Sequence, residues 1–462
     1  MNVRKALYFG YKRATGSSFP RIYEDLVRQD RAGVDPDMQK QLLARLLAHC
    51  QESVPYYAEI MKGVGDQFER DPEACLSHLP ILTKEMVRTH FDQLKSTDLA
   101  GRRWYINTSG GSTGEPTRLI QDREFGDRSN ALQQFYSTWA GAQGGDPIVY
   151  VWGSERDIQR DFLGEGKGAR TKRMIANGLL RQTFLNAFLM TPEKSREFLN
   201  ILNTRPPKLI ISYVDSIYEL ARFAEREKIA IRPQSAIITS AGTLTPFMRE
   251  KIEGVFRCKV FNRYGSREVS DIAGECTAHR GLHVFPWGCY VEVVDDAGKR
   301  VPEGTEGNIL VTCLSNYAMP LIRYQIEDRG ILSPETTCPC RRRGQILEKI
   351  SGRNDDIFVT RDGTQIEGGY FGVLLYSRPW VLQCQVIQKS YTSILFKIKP
   401  SEQGYEADEL SDIISKTRMA MGEDCQVDFE FVDDIPKSPS GKYRYILSQV
   451  NSREAALIGE NG

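Results

Sequence analysis

The sequence has no surplus of charge of either sign, and this limits the partners that it can attract. It has 61 basic and 60 acidic residues in 462, and its formal net charge is +1. Because no overall field favours nucleic acid or an acidic membrane, we predict neither a nucleic-acid partner nor stable membrane insertion. The sequence also lacks an apolar run long enough to cross a bilayer. The apolar stretch Ala6–Tyr11 is too short for a signal peptide, so a cytoplasmic location is expected.

Cysteine is too sparse for a disulfide scaffold, since a chain of this length has only ten. With no export signal predicted, we expect reduced thiols, some of which are available to bind metal. Histidine is scarcer still, with five residues, and two of them, His279 and His283, fall close together.

The length predicts several domains, and the apolar runs predict an α/β fold. Short β-branched runs, each followed by Gly, Ser or Asp and a helical pattern, are typical of alternating strands and helices. These runs are Ile148–Trp152, Leu209–Ser212 and Ala236–Thr239. We predict a large N-terminal domain over 1–352, with a β-rich subdomain at about 284–350. A small mobile α+β lid over 353–462 is predicted from the strand Ser393–Ile398 and the helix Asp408–Met421.

A loop rich in glycine and hydroxyl residues, TSGGSTGEPTRLIQD, runs from Thr108 to Asp122. Such a loop can turn backbone N–H groups and side-chain hydroxyls toward an anion. It differs from the P-loop of ATPases, because Gly114 is followed by Glu115 and not by lysine. A phosphate held here would need a cation from elsewhere, and on these residues alone a solvent-exposed loop is an equal alternative.

Four later segments carry residues that could complete such a site. Glu268, in FNRYGSREVSD, could hold magnesium beside phosphate. Asp328, in LIRYQIEDRG, could bind ribose hydroxyls, and GRNDDIF places Arg353 and Asp355 at the predicted domain junction. Lys442, in DIPKSPSGKYRY, is a point charge suited to neutralising phosphate or carboxylate, although a solvated basic loop is the alternative.

In their order and spacing, these segments resemble the adenylate-forming enzymes: acyl-CoA synthetases, peptide-synthetase adenylation domains and luciferases. The resemblance extends from about Val54 to Lys442 and is strongest to the phenylacetate–CoA ligase branch, including capsule-biosynthesis-type relatives. It implies an ATP-dependent ligase that forms an acyl-adenylate and passes the acyl group to coenzyme A. An aryl or arylacetic acid, Mg²⁺ and a homodimer are implied by analogy. Two alternatives remain: transfer to an amine, sugar or carrier protein, and a non-catalytic nucleotide-binding scaffold.

The resemblance also implies roles for individual residues. Tyr264 would lie against adenine, Asp328 would bind ribose with help from Arg353, and Asp355 would be the hinge of the lid. Glu268 would hold magnesium, and Lys442 would reach the carboxylate and the α-phosphate. The remaining nucleotide-binding positions would be Ser109, Gly110, Gly111, Ser112, Thr113, Gly114, Thr117, Ser240, Ala241, Gly242, Gly265 and Ser266.

Arg267 departs from the pattern of the superfamily, which usually has Thr or Ser directly before the magnesium glutamate. The planar guanidinium group of Arg267 could bind phosphate directly, so we include Arg267 among the candidate catalytic residues. Alternatively it could turn outward and pair with Asp271.

Cysteine and histidine residues in two segments predict a zinc site. GECTAHRGLH contains Cys276, His279 and His283, and TTCPCRRRG contributes Cys338 and Cys340. Two thiolates with a distant Cys/His pair form a reasonable tetrahedral set. We favour Cys276, His283, Cys338 and Cys340 as ligands of a structural zinc ion, with His279 as the alternate ligand and unligated cysteines as the competing interpretation.

The acyl pocket implied by the resemblance lies near the ends of the predicted strands. Aromatic residues that could line it are Trp152, Tyr213, Phe261 and Trp287, although ordinary core positions are the competing interpretation.

Overall fold

The computed structural model of the chain describes residues 3–32, 35, 37–62, 67–108, 117–153, 181–187, 190–353, 357–376, 378, 380–402, 404–435 and 445–450. Within these ranges the protein is a mixed α/β structure, which confirms the predicted fold class. The chain divides into two compact units. One comprises Met1–Ile326 with Gly330–Ile350, and the other comprises Glu327–Arg329 with Ser351–Gly462. No helix in the described ranges is both long and apolar enough to span a membrane.

Helices dominate the first part of the chain, and polar N-caps begin several of them. The carboxylate of Asp122, for example, accepts the backbone N–H of Phe125 at 2.8 Å and so satisfies one open donor at the start of a helix. The helices are α1 (Val3–Ala14), α2 (Phe19–Ala32), α3 (Met38–Ser53), α4 (Pro55–Ile60), α5 (Gln67–Arg70), α6 (Pro72–His78), α7 (Lys84–Thr89) and α8 (Arg123–Ser137), with a 3₁₀ turn at Leu99–Gly101.

A two-stranded antiparallel hairpin flanks the glycine-rich loop. Its strands are β1 (Trp104–Thr108) and β2 (Arg118–Asp122), and Thr108 pairs with Arg118. The loop residues 109–116 lie outside the described part of the chain. The hairpin therefore fixes where the loop leaves and re-enters the large unit.

An 11-stranded sheet, counted within the described ranges, forms the centre of the large unit in the order β10-β11-β12-β13-β9-β8-β7-β6-β5-β3-β4. The strands are β3 (Ile148–Trp152), β4 (Gln182–Asn186), β5 (Leu209–Tyr213), β6 (Ala236–Ser240), β7 (Lys259–Ser266), β8 (Ser270–Glu275), β9 (Leu282–Val284), β10 (Cys289–Val294), β11 (Glu306–Cys313), β12 (Tyr324–Leu332) and β13 (Ile346–Arg353). Strands β4, β3, β5, β6 and β7 are parallel, and β7 turns back into the antiparallel β8.

Helices in the crossovers follow the parallel strands, as right-handed βαβ connections require. They are α9 (Pro192–Thr204), α10 (Val214–Arg226) and α11 (Pro246–Phe256). One hydrophobic cluster joins α1, α2 and α8 to β3, β5, β6 and β7, and a second joins α3, α4 and α6 to the antiparallel strands. The strands of the predicted β-rich region belong to the same sheet as the parallel strands.

The smaller unit is built on a four-stranded sheet in the order β18-β17-β16-β19. Its elements are β14 (Ile357–Val359), β15 (Gln365–Glu367), α12 (Gly369–Tyr376), β16 (Val381–Ser390), β17 (Ser393–Pro400), α13 (Ala407–Met421), β18 (Gln426–Phe431) and β19 (Ile446–Ser448). The buried Gln388 connects three of these strands. Its amide bonds both backbone groups of Val359, at 2.6 and 3.0 Å, and accepts the hydroxyl of Ser448 at 2.8 Å.

Gly274 on β8 allows α8 to pack directly on the sheet. A Cβ at this position would lie 2.4 Å from Cε2 of Tyr136 and 2.7 Å from Cζ of Phe285. The hydroxyl of Tyr136 in turn lies 2.9 Å from the carbonyl oxygen of Asn262 and 3.1 Å from that of Glu275. Tyr136 therefore ties α8 to the two central strands, and the absence of a side chain at 274 makes room for its ring.

We expect Gly274→Ala to lower the free energy of unfolding by about 1–3 kcal/mol, because the added methyl group overpacks a buried aromatic contact. Urea unfolding measures the effect. Gly254→Ala is the matched control, since a Cβ at Gly254 in α11 meets no atom within 4 Å. That control should stabilise slightly, because alanine favours helix more than glycine does. Equal effects of the two substitutions would contradict the packing argument.

Candidate active site

The parallel strands β3, β5, β6 and β7 end at one edge of the sheet, where ligands bind in open α/β folds. At this edge Ser240 ends β6 and is buried, and Ala241 follows it with φ +61°. A left-handed backbone is strained for alanine, and such strain is concentrated at functional positions. Gly242 is closely packed as well, since its Cβ would lie 3.2 Å from that of Val214. The predicted turn Ser240–Gly242 thus has a fixed, strained backbone.

The turn between β7 and β8 carries the next group of predicted residues. Tyr264, Gly265 and Ser266 complete β7, and a β-bulge interrupts the pairing between Tyr264 and Gly265. Gly265 is required there by close approach, because a Cβ would lie 2.6 Å from the carbonyl oxygen of Ser270. Glu268 in the turn is 8% exposed, whereas Arg267 is exposed. The turn therefore presents one buried carboxylate and one exposed guanidinium.

One interpretation of the sequence was that Arg267 pairs with Asp271. In the described structure Arg267 is not the ion-pair partner of Asp271. Nη1 of Arg263 lies 3.6 Å from Oδ2 of Asp271, and both side chains are buried. Arg263 therefore occupies the position beside Asp271, and Arg267 faces solvent next to Glu268.

Gln121 connects the hairpin that flanks the glycine-rich loop to the Glu268 turn, and the sequence motifs did not identify it. From β2 its Nε2 donates to the carbonyl oxygen of Arg267 at 2.8 Å and lies 3.3 Å from that of Glu268. Nδ2 of Asn107 on β1 donates to Oε1 of Gln121 at 3.0 Å. The amide of Gln121 thus holds the turn, and the amide of Asn107 positions Gln121. Its segment, RLIQD, carries no sequence signal of this contact.

The other predicted nucleotide-binding residues are distributed as follows. Thr117 is buried next to β2, and Tyr264 is partly buried against the second hydrophobic cluster. Asp328 lies within β12, which continues past it to Leu332. Arg353 is the last residue of β13. Residues Ser109, Gly110, Gly111, Ser112, Thr113, Gly114, Asp355 and Lys442 lie outside the described residues.

Two of the four aromatic residues suggested for the acyl pocket lie together. The rings of Trp152 and Tyr213 are 4.2 Å apart at the ends of β3 and β5. Phe261 instead packs against His279, with ring centroids 5.1 Å apart. Trp287 is a core residue, packed on Phe135 at 5.4 Å, with its indole N–H donating to Gln29.

A separate cluster of thiols and imidazole lies at the other predicted site. The ligand atoms of Cys276, His283, Cys338 and Cys340 all lie within 4.8 Å of one another. Cys276 directly follows β8, and His283 is the middle residue of β9, which pairs with both β8 and β13. Residues 285–288 separate β9 from β10.

The distances in this cluster suit a tetrahedral ion. The sulfurs of Cys276 and Cys338 are 3.6 Å apart, and the sulfur of Cys340 is 3.4 Å from Nε2 of His283. Bond lengths of about 2.3 Å to sulfur and 2.0–2.1 Å to nitrogen give tetrahedral edges of roughly 3.8 and 3.5 Å. Burial lowers the pKa of His283 to about 4, so its imidazole is neutral at pH 7, as ligation requires.

The surroundings of the cluster favour a negative charge on Cys340. Burial alone would raise the pKa of this thiol, but hydrogen bonds from the Arg342 backbone and from Cys338 and Cys276 lower it. Arg342 itself is held by two bonds to Asp30, at 2.8 and 3.0 Å. Burial raises the pKa of Cys276 to about 12, and a bound zinc ion would deprotonate such a thiol outright.

The alternate ligand His279 does not join this cluster. Its Nδ1 lies 3.3 Å from a carboxylate oxygen of Glu275 and 3.5 Å from Nη1 of Arg249. Its φ of +52° places it in a turn after β8. All ten cysteines are free thiols, and seven of them lie elsewhere in the chain.

Comparison with known proteins identifies relatives. Residues 358–449 match the family model of the CapK C-terminal domain. The chain is 23% identical over 435 residues to Protein CapK of Staphylococcus aureus, covering 93% of this chain and 92% of that protein. It is 26% identical over 351 residues to a phenylacetate-coenzyme A ligase of Thermus thermophilus, covering 70% and 71%.

Solved structures share the fold. A 2-hydroxyisobutyryl-CoA ligase in its postadenylation state aligns with a TM-score of 0.69 and 19% identity, over 94% of this chain and 92% of that one. The chain is therefore similar in sequence to Protein CapK and to phenylacetate-coenzyme A ligases, and it shares the fold of a CoA ligase.

Proposed function

We propose that the protein uses ATP to convert a carboxylic acid into an acyl-adenylate, releases pyrophosphate, and transfers the acyl group to coenzyme A. The observation that carries this proposal is the link through Gln121, 2.8 Å from the Arg267 carbonyl oxygen. It joins the hairpin that bears the glycine-rich loop to the turn that bears Glu268. A phosphate loop and a magnesium carboxylate need this proximity. The relatives named phenylacetate-coenzyme A ligase support an aryl or arylacetic acid as substrate.

The chemistry sets requirements that these residues meet. The substrate carboxylate and the α-phosphate of ATP are both anionic, so their approach needs positive charge and preorganised donors. Glu268 would hold Mg²⁺, and the amides and hydroxyls of residues 109–114 with Thr117 would surround the phosphates. Lys442 would reach the reacting carboxylate, and the exposed Arg267 is a second cation for the polyphosphate. Adenine would be held by Tyr264, Gly265 and Ser266 on β7 and by the Ser240–Gly242 turn. The ribose would be bound by Asp328 and Arg353. Asp355 would be the hinge of the small unit.

We further propose that Cys276, His283, Cys338 and Cys340 bind one structural zinc ion. Four protein ligands fill a tetrahedral ion and leave no open position, so the ion would serve stability and not catalysis. The ligands come from the end of β8, from β9 and from the connection between β12 and β13. The ion would therefore fasten the Cys-Pro-Cys turn to the middle of the sheet.

Pyrophosphate exchange tests the adenylation. The expected result is incorporation of labelled pyrophosphate into ATP that depends on Mg²⁺ and on one class of acid within a broad panel. Addition of coenzyme A should then yield the acyl thioester and AMP. If ATP raises the melting temperature but no acid supports exchange, the protein is a nucleotide-binding scaffold and the proposal is wrong.

A second acceptor class is favoured by one observation. The part of the chain that matches the CapK C-terminal domain is the small unit, which would present the acceptor after adenylation. Transfer to an amine, a sugar or a carrier protein is therefore the alternative to coenzyme A. Formation of the acyl-adenylate without formation of the coenzyme A thioester would favour one of these alternative acceptors.

A further inference from the structure

Two buried side chains of opposite charge lie at the edge where β3, β5, β6 and β7 end. Arg263 on β7 is 7% exposed, and Asp271 on β8 is 6% exposed. The closest contact between them joins Nη1 of Arg263 to Oδ2 of Asp271 at 3.6 Å. This distance satisfies an ion pair but is too long for a hydrogen bond.

Arg263 belongs to a row of side chains that faces one side of the sheet. Tyr213 pairs with Ser240, and Trp152 and Arg263 occupy the equivalent positions on the flanking strands. Partners in a parallel register point to the same face. The guanidinium of Arg263 lies 5.6 Å from the ring of Trp152, whose centroid is 4.2 Å from that of Tyr213 with the two rings tilted by 33°. The rings of Trp152 and Tyr213 therefore form an aromatic wall, and the ion pair of Arg263 and Asp271 lies at the end of this wall.

The pair leaves polar atoms without hydrogen bonds. Among the residues that the structure describes, neither Nε of Arg263 nor Oδ2 of Asp271 has a hydrogen-bond partner, although both atoms are buried. Buried polar groups in folded proteins are nearly always satisfied, and exceptions are concentrated at functional positions. This ion pair therefore offers one unsatisfied donor and one unsatisfied acceptor.

Resting on the proposed adenylation function, we propose that Arg263 and Asp271 select a carboxylic acid that carries a hydroxyl group remote from its carboxylate. The hydroxyl accepts from Nε of Arg263 and donates to Oδ2 of Asp271. A hydroxyl is both donor and acceptor and is neutral, so it matches both groups at once. A second carboxylate would be repelled by Asp271, and an ammonium group by Arg263.

A purely structural role fits the pair less well. Another buried pair in the same unit, Arg323 with Glu292, is fully bonded: the guanidinium also donates to the carbonyl oxygens of Leu79 and Gly298, at 2.8 and 2.7 Å. Within the described part of the chain, Nε of Arg263 and Oδ2 of Asp271 have no such bonds, and the pair lies beside the aromatic wall. Buried ion pairs contribute little net stability compared with apolar residues of the same volume. Specificity is the better explanation for retaining this one.

The test compares matched acids in pyrophosphate exchange. The panel contains phenylacetate and its 3-hydroxy, 4-hydroxy, 4-carboxy and 4-aminomethyl derivatives, with benzoate and aliphatic acids substituted in the same ways. We expect a hydroxylated acid to exceed its unsubstituted parent by about 10²-fold or more in kcat/KM, because unpaired polar groups reject the analogue that lacks a hydroxyl. The carboxy and aminomethyl acids should be poorer than the hydroxy acid.

Two variants separate selection from a structural role. In Arg263→Met with Asp271→Leu, no buried charge is left unpaired, and the preference for the hydroxyl should fall to within about tenfold. Asp271→Asn keeps the volume and should reduce the same ratio. Since each ratio is measured on one preparation, loss of folded protein cancels. A wild-type preference for unsubstituted acids, or an unchanged ratio in both variants, would overturn the inference while leaving adenylation standing. If none of the acids in the panel supported pyrophosphate exchange, both the proposed function and this inference would be contradicted.

Discussion

Lys442→Ala should abolish adenylation and leave transfer from a supplied acyl-adenylate nearly intact. Lys442 lies outside the described residues, and its role follows from the Pro…Gly-Lys segment of the sequence. In adenylation the lysine would neutralise charge that develops between two anions, and loss of such a donor typically costs about 10²–10³ in rate. In the second half-reaction the anhydride bond between the acyl group and the α-phosphate is already formed, and rotation of the small unit would remove the lysine. Single-turnover measurements of the two half-reactions read out the difference.

Lys437→Ala is the matched control for this experiment. It removes the same charge five residues earlier in the segment DIPKSPSGK. We expect the control to retain both half-reactions. If Lys442→Ala lost both half-reactions equally, or if Lys437→Ala behaved like it, the assigned role would be wrong.

Cys338→Ala should reduce the zinc content from about one ion per chain to near zero and lower the melting temperature by roughly 10 °C. An ion bound at a thousand times its dissociation constant contributes about 4 kcal/mol, and each kcal/mol shifts the melting temperature by a few degrees. Removal of one thiolate leaves three ligands for an ion that needs four. Elemental analysis of extensively dialysed protein gives the metal content, and thermal unfolding gives the shift.

Cys289→Ala removes a sulfur atom from another buried position, where the thiol donates to the carbonyl oxygens of Ile272 and Phe285. This control should keep its zinc. A chelator should lower the melting temperature of the wild type and of Cys289→Ala but not that of Cys338→Ala. Wild-type protein without zinc after dialysis would rule out the site.

Local sequence patterns predicted the elements well where apolar runs were bounded by turn residues. The predicted strand Ile148–Trp152 matches β3, and the predicted helix Asp408–Met421 differs from α13 by one residue at its start. The prediction for Leu209–Ser212 fell one residue short of β5. These elements are determined by periodicity and turn chemistry, which are local properties.

Contacts between distant segments were harder to predict. Gln121 contacts the turn at Arg267 across 146 positions, and nothing in its own segment shows this. The partner of Asp271 proved to be Arg263 because a β-bulge resets the pairing of β7 and β8. The choice between His279 and His283 likewise depended on β9 lying between β8 and β13.

The sequence alone indicated the resemblance to adenylate-forming enzymes, the α/β class and the types of residue available for phosphate, magnesium and zinc, because motifs and local periodicity can be read along the chain. Only the tertiary structure decided which of these residues meet. It grouped four zinc-ligand candidates within 4.8 Å, tied the hairpin to the Glu268 turn, and placed an incompletely bonded charged pair beside the Trp152–Tyr213 wall. These contacts depend on strand order and register, since a shift of one residue turns every side chain of a strand to the opposite face.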